Sequence, residues 1–218
     1  MDKIKGLLVM DVDSTLVQEE VIDLLGQVAG LGREIAKITE LAMKGHLDFE
    51  EALKERVSLL SGLSAEVFDS IYPMIHFQKG AKELVATLHE RHYKIGLVSG
   101  GFHETVDRLV AELGIDYVMA NRLQVRDDTL TGKLEGPIVT KEVKCDKLKE
   151  WADLNGLDLS QTIAVGDGAN DLMMIKEAGI GIAFCAKELV KQEARYRIDI
   201  PDLREVLAII SQHERANK

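Results

Sequence analysis

Short apolar runs alternate with longer amphipathic stretches along most of this chain. Nearly continuous apolar runs lie at Lys5–Met10 (KGLLVM), Lys94–Val98 (KIGLV), Asp116–Ala120 (DYVMA), Thr162–Val165 (TIAV) and Gly181–Phe184 (GIAF). Runs of this kind suit strands buried on both faces. Helical patterns fall between them, at Gly80–His92, Phe102–Leu113, Lys144–Asn155, Leu172–Glu177 and Ala186–Glu193. The alternation predicts βαβ units, and hence a Rossmann-like α/β fold with a parallel sheet and helices on both faces. Ligands of such sheets bind beyond the carboxyl ends of the strands, so the strand tips are where chemistry is sought.

Two stretches break the alternation. Residues 15–77 show no strand pattern and read as helices at Glu19–Val28, Arg33–Lys44, Asp48–Leu60 and Ala65–Ile71, with stops at Gly30, Gly32, Gly45 and Gly62. They predict a small helical cap, 15–77, inserted into a catalytic core made of 1–14 and 78–218. Arg122–Leu134 (RLQVRDDTLTGKL) predicts a β-hairpin turning at Asp127-Asp128, added antiparallel near the sheet edge.

Composition narrows the class. The chain has 218 residues, 46% hydrophobic and 29% charged, which fits one domain with an insertion. A formal charge of −10 argues against nucleic acid or an anionic membrane as partner. Local cations would still be needed for an anionic substrate. Cys145 and Cys185 form no CxxC and no metal-ligand spacing, which suits reduced thiols. The apolar run near the N-terminus is too short for a signal peptide or a membrane span, so a soluble, cytoplasmic protein is expected, monomer or homodimer.

Candidate chemistry collects behind the strands. The first leads into Asp11-Val12-Asp13-Ser14-Thr15. Aspartates at i and i+2 on an extended tip point to one side. Their repulsion is relieved by a cation, and an oxygen-rich site suits Mg²⁺. A helix cap by Asp13-Ser14 is the structural alternative. The second strand leads into Ser99-Gly100-Gly101, a hydroxyl with close-approach backbone amides that can cradle a phosphoryl oxygen, or an ordinary helix entry. A later strand leads into Gly166-Asp167-Gly168-Ala169-Asn170-Asp171, more polar side chains than a cap needs, with Asp167 at the tip where a metal ligand belongs. Lys144 is read as opening a helix, where the helix dipole disfavours a cation; Lys141 and Lys147 are its rivals.

In this order, each behind a strand, these blocks resemble the haloacid-dehalogenase-like phosphohydrolases. The resemblance rests on DVDSTL at 11–16, Glu20, KERVSLL at 54–60, VSGGF at 98–102, ANRL at 120–123, Lys144 and VGDGAND at 165–171. Glu20 with Arg56–Leu60 narrows it to the branch acting on phosphoserine, in the last step of serine biosynthesis. Val12 stands where an aromatic is common and presents only backbone.

The resemblance implies an Mg²⁺-dependent phosphatase for a small phosphorylated amino acid. It makes Asp11 the nucleophile that becomes an aspartyl phosphate, and Asp13 the general acid and then base. The metal would be held by the Asp11 side chain, the Asp13 carbonyl and Asp167, with Asp171 orienting that shell. Ser99, Gly100, Lys144 and Asn170 would hold the phosphoryl oxygens. From the cap, Arg56 would take the substrate carboxylate, Glu20 its ammonium, and Met43 and Phe49 would close the pocket. Read without the resemblance, Glu20 is a solvated acid, Arg56 a partner of Glu51 or Glu55, and Met43 and Phe49 core. A phospho-acceptor signalling domain is the alternative from another class, but it lacks an acid two residues past the acceptor. Phosphohomoserine, phosphothreonine or a sugar phosphate are alternative substrates.

Overall fold

The computed structural model describes residues 3–43 and 46–216, with only the backbone of Met43 and Ala216. The predicted runs form strands β1 (Gly6–Met10), β2 (Tyr93–Phe102), β3 (Tyr117–Arg126), β5 (Thr162–Gly166) and β6 (Ile180–Phe184). β4 (Thr129–Glu135) and β7 (Tyr196–Ile198) complete a seven-stranded sheet of order β4-β3-β2-β1-β5-β6-β7. Every pair is parallel except β3 with β4.

β1 lies in the middle of the sheet, buried from end to end. Its alternate residues serve two cores, as the period-2 geometry of a strand requires. Leu8 and Met10 pack with Leu84 and Leu88 of α5 (Ala81–Glu90), Leu109 of α6 (His103–Leu113) and Ile210 of α10 (Arg204–Ala216). Leu7 and Val9 face Leu148 and Trp151 of α7 (Lys141–Leu154), Met174 of α8 (Leu172–Glu177) and Val190 of α9 (Glu188–Glu193). β1 is flanked by β2 on one side and β5 on the other, so the three tips meet where the strand order reverses. That switch point is the crevice where ligands of open α/β sheets bind.

Between β1 and α5 the chain forms α1 (Val21–Val28), α2 (Gly32–Met43), α3 (Phe49–Ser58) and α4 (Val67–Ile71). These helices share a third core, with Leu25, Ile35, Leu53 and Ile71 meeting Phe102, Leu123 and Leu130 from the sheet side. The hairpin turns at Asp127 and Asp128, both left-handed with φ 48° and 56°, the backbone of a type I′ turn. Backbone bonds then tie it to the helical insertion: Gly62 N to Leu130 O at 2.9 Å, Leu130 N to Leu63 O at 2.8 Å and Ala65 N to Asp128 O at 2.8 Å.

The structure corrects some boundaries. β3 runs straight into the hairpin as its first arm. β7 and α10 have no counterpart among the predicted elements. Lys144 does not open α7: Thr140 is the N-cap, its Oγ1 accepting from Val143 N at 3.4 Å, so Lys144 lies a full turn inside.

Candidate active site

Past β1 the chain kinks. Asp13 is extended (φ −62°, ψ 134°) and Ser14 left-handed (φ 58°, ψ 3°), which turns the backbone toward α1. Asp11 is tied to β5 through its amide, 3.0 Å from Val165 O. Its carboxylate Oδ1 accepts from Lys144 Nζ at 2.7 Å, and the same ammonium donates to Asp171 Oδ1 at 2.7 Å. Lys144 and Asp171 have no solvent exposure and Asp11 has 5%. Asp171 Oδ2 accepts from Gly168 N at 3.0 Å. Both Asp171 oxygens are thus engaged, as befits a residue that orients its neighbours.

Asp11, Asp167 and Asp171 bring carboxylate oxygens within 4.8 Å of one another. Burial pushes the Asp11 carboxyl well above its usual range, Asp171 pushes the same way, and Lys144 opposes both. Asp167 is raised to about 6 by burial, then by Asp171 and Glu20. Asp13 is raised to about 7 by burial, then by Glu20. For Lys144 burial pulls the ammonium down, and Asp11 with Asp171 more than reverse it, so it stays charged. Lys144 is the cation in contact with Asp11 and Asp171, and the acids around it make the pocket rich in hard oxygen donors. That donor set fits a divalent cation of the Mg²⁺ kind, with Asp11 and Asp167 to hold it.

The second strand tip completes a cradle. Ser99 is fully buried, and its Oγ accepts from Gly101 N at 2.8 Å, which leaves the hydroxyl proton to donate elsewhere. A Cβ on Gly101 would lie 2.5 Å from Asp13 Oδ2, so only glycine lets these tips approach. Asn121, 1% exposed, ties the end of β2 to the segment before α7: its Nδ2 donates to Gly100 O at 2.8 Å and its Oδ1 accepts from Val139 N at 2.8 Å. Val139 leads into the α7 N-cap, so this one amide sets the Ser99–Gly101 turn against the helix that carries Lys144.

A cavity of about 790 Å³ opens above, and Asp11, Asp13, Asp167, Gly100 and Asn170 line its core side. Glu20, Phe49 and Arg56, from the helical insertion, line the same cavity. α3 begins with a capping box, Asp48 with Glu51. Phe49 and Arg56, seven positions apart, share its cavity face. The tip of Phe49 is 3.3 Å from where a Cβ on Gly100 would sit, so this ring covers the phosphate turn and is not core. Arg56 Nε donates to Ala52 O at 3.2 Å. Burial lowers its pKa, and the acids that raise it are Glu20, Asp23 and Asp13, not Glu51 or Glu55. Glu20 Oε1 accepts from Ser14 Oγ at 2.7 Å. The side chain of Met43 lies outside the described residues.

The structure thus gathers Asp11, Asp13, Glu20, Phe49, Arg56, Ser99, Gly100, Lys144, Asp167, Asn170 and Asp171 about one crevice. Sequence reasoning missed the parts played by Ser14 and Asn121, although both fall inside blocks it singled out, DVDSTL and ANRL. Lys187 at the cavity wall, whose amide donates to Asp167 O at 3.1 Å, left no signal in the sequence.

The sequence profile of the haloacid dehalogenase-like hydrolases matches residues 8–176. The chain belongs to that family. Among its members, the phosphoserine phosphatase of Streptococcus thermophilus is 66% identical over 212 residues, which span 97% of this chain and 99% of that one. The phosphoserine phosphatase of Methanocaldococcus jannaschii is 45% identical over 210 residues, 96% of this chain and 100% of that one. A substrate-bound phosphoserine phosphatase complex superposes with a TM-score of 0.90 at 44% identity, covering 95% of this chain and 99% of that one. A phospho-aspartyl intermediate analogue of phosphoserine phosphatase gives 0.89 at the same identity and coverage. Within the haloacid dehalogenase-like hydrolases, the chain falls among the phosphoserine phosphatases.

Proposed function

We propose that this haloacid dehalogenase-like hydrolase is a divalent-cation-dependent phosphoserine phosphatase, cleaving O-phospho-L-serine to L-serine and phosphate. The observation that carries the reading is the pairing of two aspartates with opposite needs. Burial raises Asp11, and the buried ammonium 2.7 Å away opposes that rise and favours the ionised nucleophile. Asp13, two positions on, is held near pH 7 by burial and Glu20, where one group can both give and take a proton.

In the first step Asp11 attacks phosphorus, the bond to the serine oxygen breaks, and Asp13 donates its proton to that oxygen. In the second, Asp13 takes a proton from water, the water oxygen attacks phosphorus, and the aspartyl phosphate bond breaks to release phosphate and free Asp11. Ser99, the Gly100 amide, Lys144 and Asn170 hold the phosphoryl oxygens, where transition-state charge spreads. Asp11, the Asp13 carbonyl and Asp167 would hold a Mg²⁺-like ion, which would supply neutralising charge for the incoming phosphate. Arg56 takes the substrate carboxylate and Glu20 its ammonium, with Phe49 closing the pocket. Residues 15–77 act as a cap over a core made of 1–14 and 78–218. The test is phosphate release from a panel of phosphorylated amino acids and sugars, with Mg²⁺ and with chelator. Phosphoserine should lead the panel, with activity lost in chelator. A sugar phosphate in the lead would overturn the substrate, and full activity in chelator the metal.

A further inference from the structure

Ser14 adopts a left-handed backbone, φ 58° and ψ 3°, a conformation unfavourable for any residue with a Cβ and free to glycine. Nothing about that backbone calls for serine. What serine adds is a hydroxyl, and its Oγ donates to Glu20 Oε1 at 2.7 Å. Two further bonds fasten the same segments, Ser14 N to Glu19 O at 3.3 Å and Val21 N to Asp13 Oδ1 at 3.2 Å. Glu20 occupies the N-cap position of α1, yet its side chain makes no capping bond. Glu20 instead lines the cavity, with one oxygen held by Ser14 and the other making no hydrogen bond among the described residues.

We infer that Ser14 is a positioning residue: its hydroxyl fixes the Glu20 carboxylate for the substrate ammonium, and so sets selectivity for an α-amino phosphate ester over its deamino analogue. The inference rests on the assignment of Glu20 to the ammonium made above. An unfixed glutamate loses rotamer freedom on binding the ligand, which weakens the contact. The strain at Ser14 is then tolerated because the hydroxyl is needed there, as strained residues at sites commonly are.

The test compares kcat/KM for O-phospho-L-serine with that for 3-phosphooxypropionate, which keeps the carboxylate and lacks the amine. Two variants separate hydroxyl from backbone. Ser14→Gly removes the hydroxyl and suits the left-handed backbone, so its Tm should equal or exceed wild type while the phosphoserine preference falls about tenfold. Ser14→Thr keeps a hydroxyl on a residue less suited to positive φ, so its Tm should fall while the preference is largely kept. A merely structural role predicts the reverse, with selectivity tracking stability. A wild-type ratio near one overturns the assignment of Glu20, and this inference with it. A wild-type preference that survives intact in Ser14→Gly overturns this inference alone.

Discussion

Lys144 sits between Asp11 and Asp171 with no exposure to solvent. Removing its charge leaves buried carboxylates facing one another without a cation. Lys144→Ala is expected to cut turnover by at least about 100-fold. Lys147→Ala breaks only a partly exposed pair with Glu150 and should stay within about twofold; equal losses in parallel kinetics would remove Lys144 from the site. Asp167 makes a prediction about pH. Its folded value is raised to about 6 from 3.8, so without metal the folded chain keeps a proton that the unfolded chain has released. Metal-free stability therefore falls as pH rises from about 4 to 6, and the whole penalty is present above 6. Asp167→Asn removes that penalty, on the order of 3 kcal/mol. It should raise the metal-free Tm at pH 8 and abolish the Tm gain on adding Mg²⁺. A metal-free Asp167→Asn less stable than wild type at pH 8 would contradict this. Asp11, Asp13 and Asp167 were legible in the sequence because carboxylates at the tips of buried apolar strands have little structural use. Lys144 was singled out by the resemblance; its expected place at a helix start was weak evidence and is corrected, since it lies a turn inside α7. Its partners lie 133 and 27 positions away, a distance no local pattern spans. Glu20 and Arg56 were legible only through the resemblance, since each alone reads as an ordinary helix charge.

At the scale of elements, the site depends on how the β2 tip is held against α7. Asn121 makes that join with one part-buried and one buried bond, and under the proposed mechanism both ends serve the phosphoryl group. Asn121→Ala should therefore lower kcat/KM about tenfold on phosphoserine and on an aryl phosphate alike. A loss confined to phosphoserine would show that Asn121 acts on the cap side. The elements themselves were legible where apolar runs are continuous, as in β1 and β5, which are buried along their whole length. β7, three residues long, is too short to show a period. The join of β3 to the hairpin was hidden by Asn121, the polar residue between the apolar run 116–120 and the predicted hairpin 122–134. Asn121 points inward because the end of β2 and the segment before α7 need its amide.

Across the whole molecule, the proposed phosphoryl cradle comes from the strand tips and the proposed amino-acid reader from the helical insertion, and both line one cavity. Their contributions should therefore separate kinetically. Arg56→Ala, far in sequence from Asp11, should lower kcat/KM for phosphoserine by roughly 10- to 100-fold, the loss of one charge-assisted contact. An aryl phosphate without a carboxylate should be affected much less, and equal falls on both would make Arg56 a support of the fold. The net charge of −10 fixed none of this, because a few buried cations decide how an anion is bound. The central claim is that turnover passes through a phosphoryl group on Asp11, and trapping that intermediate tests it most directly. Turnover of phosphoserine with Mg²⁺ is quenched, acyl phosphate is reduced with borohydride, and the modified residue is located by mass spectrometry. The reading predicts homoserine at position 11, absent when chelator replaces Mg²⁺ and absent in Asp11→Asn, which should also release no phosphate. Homoserine at another aspartate, or phosphate release by Asp11→Asn at the wild-type rate, would contradict it.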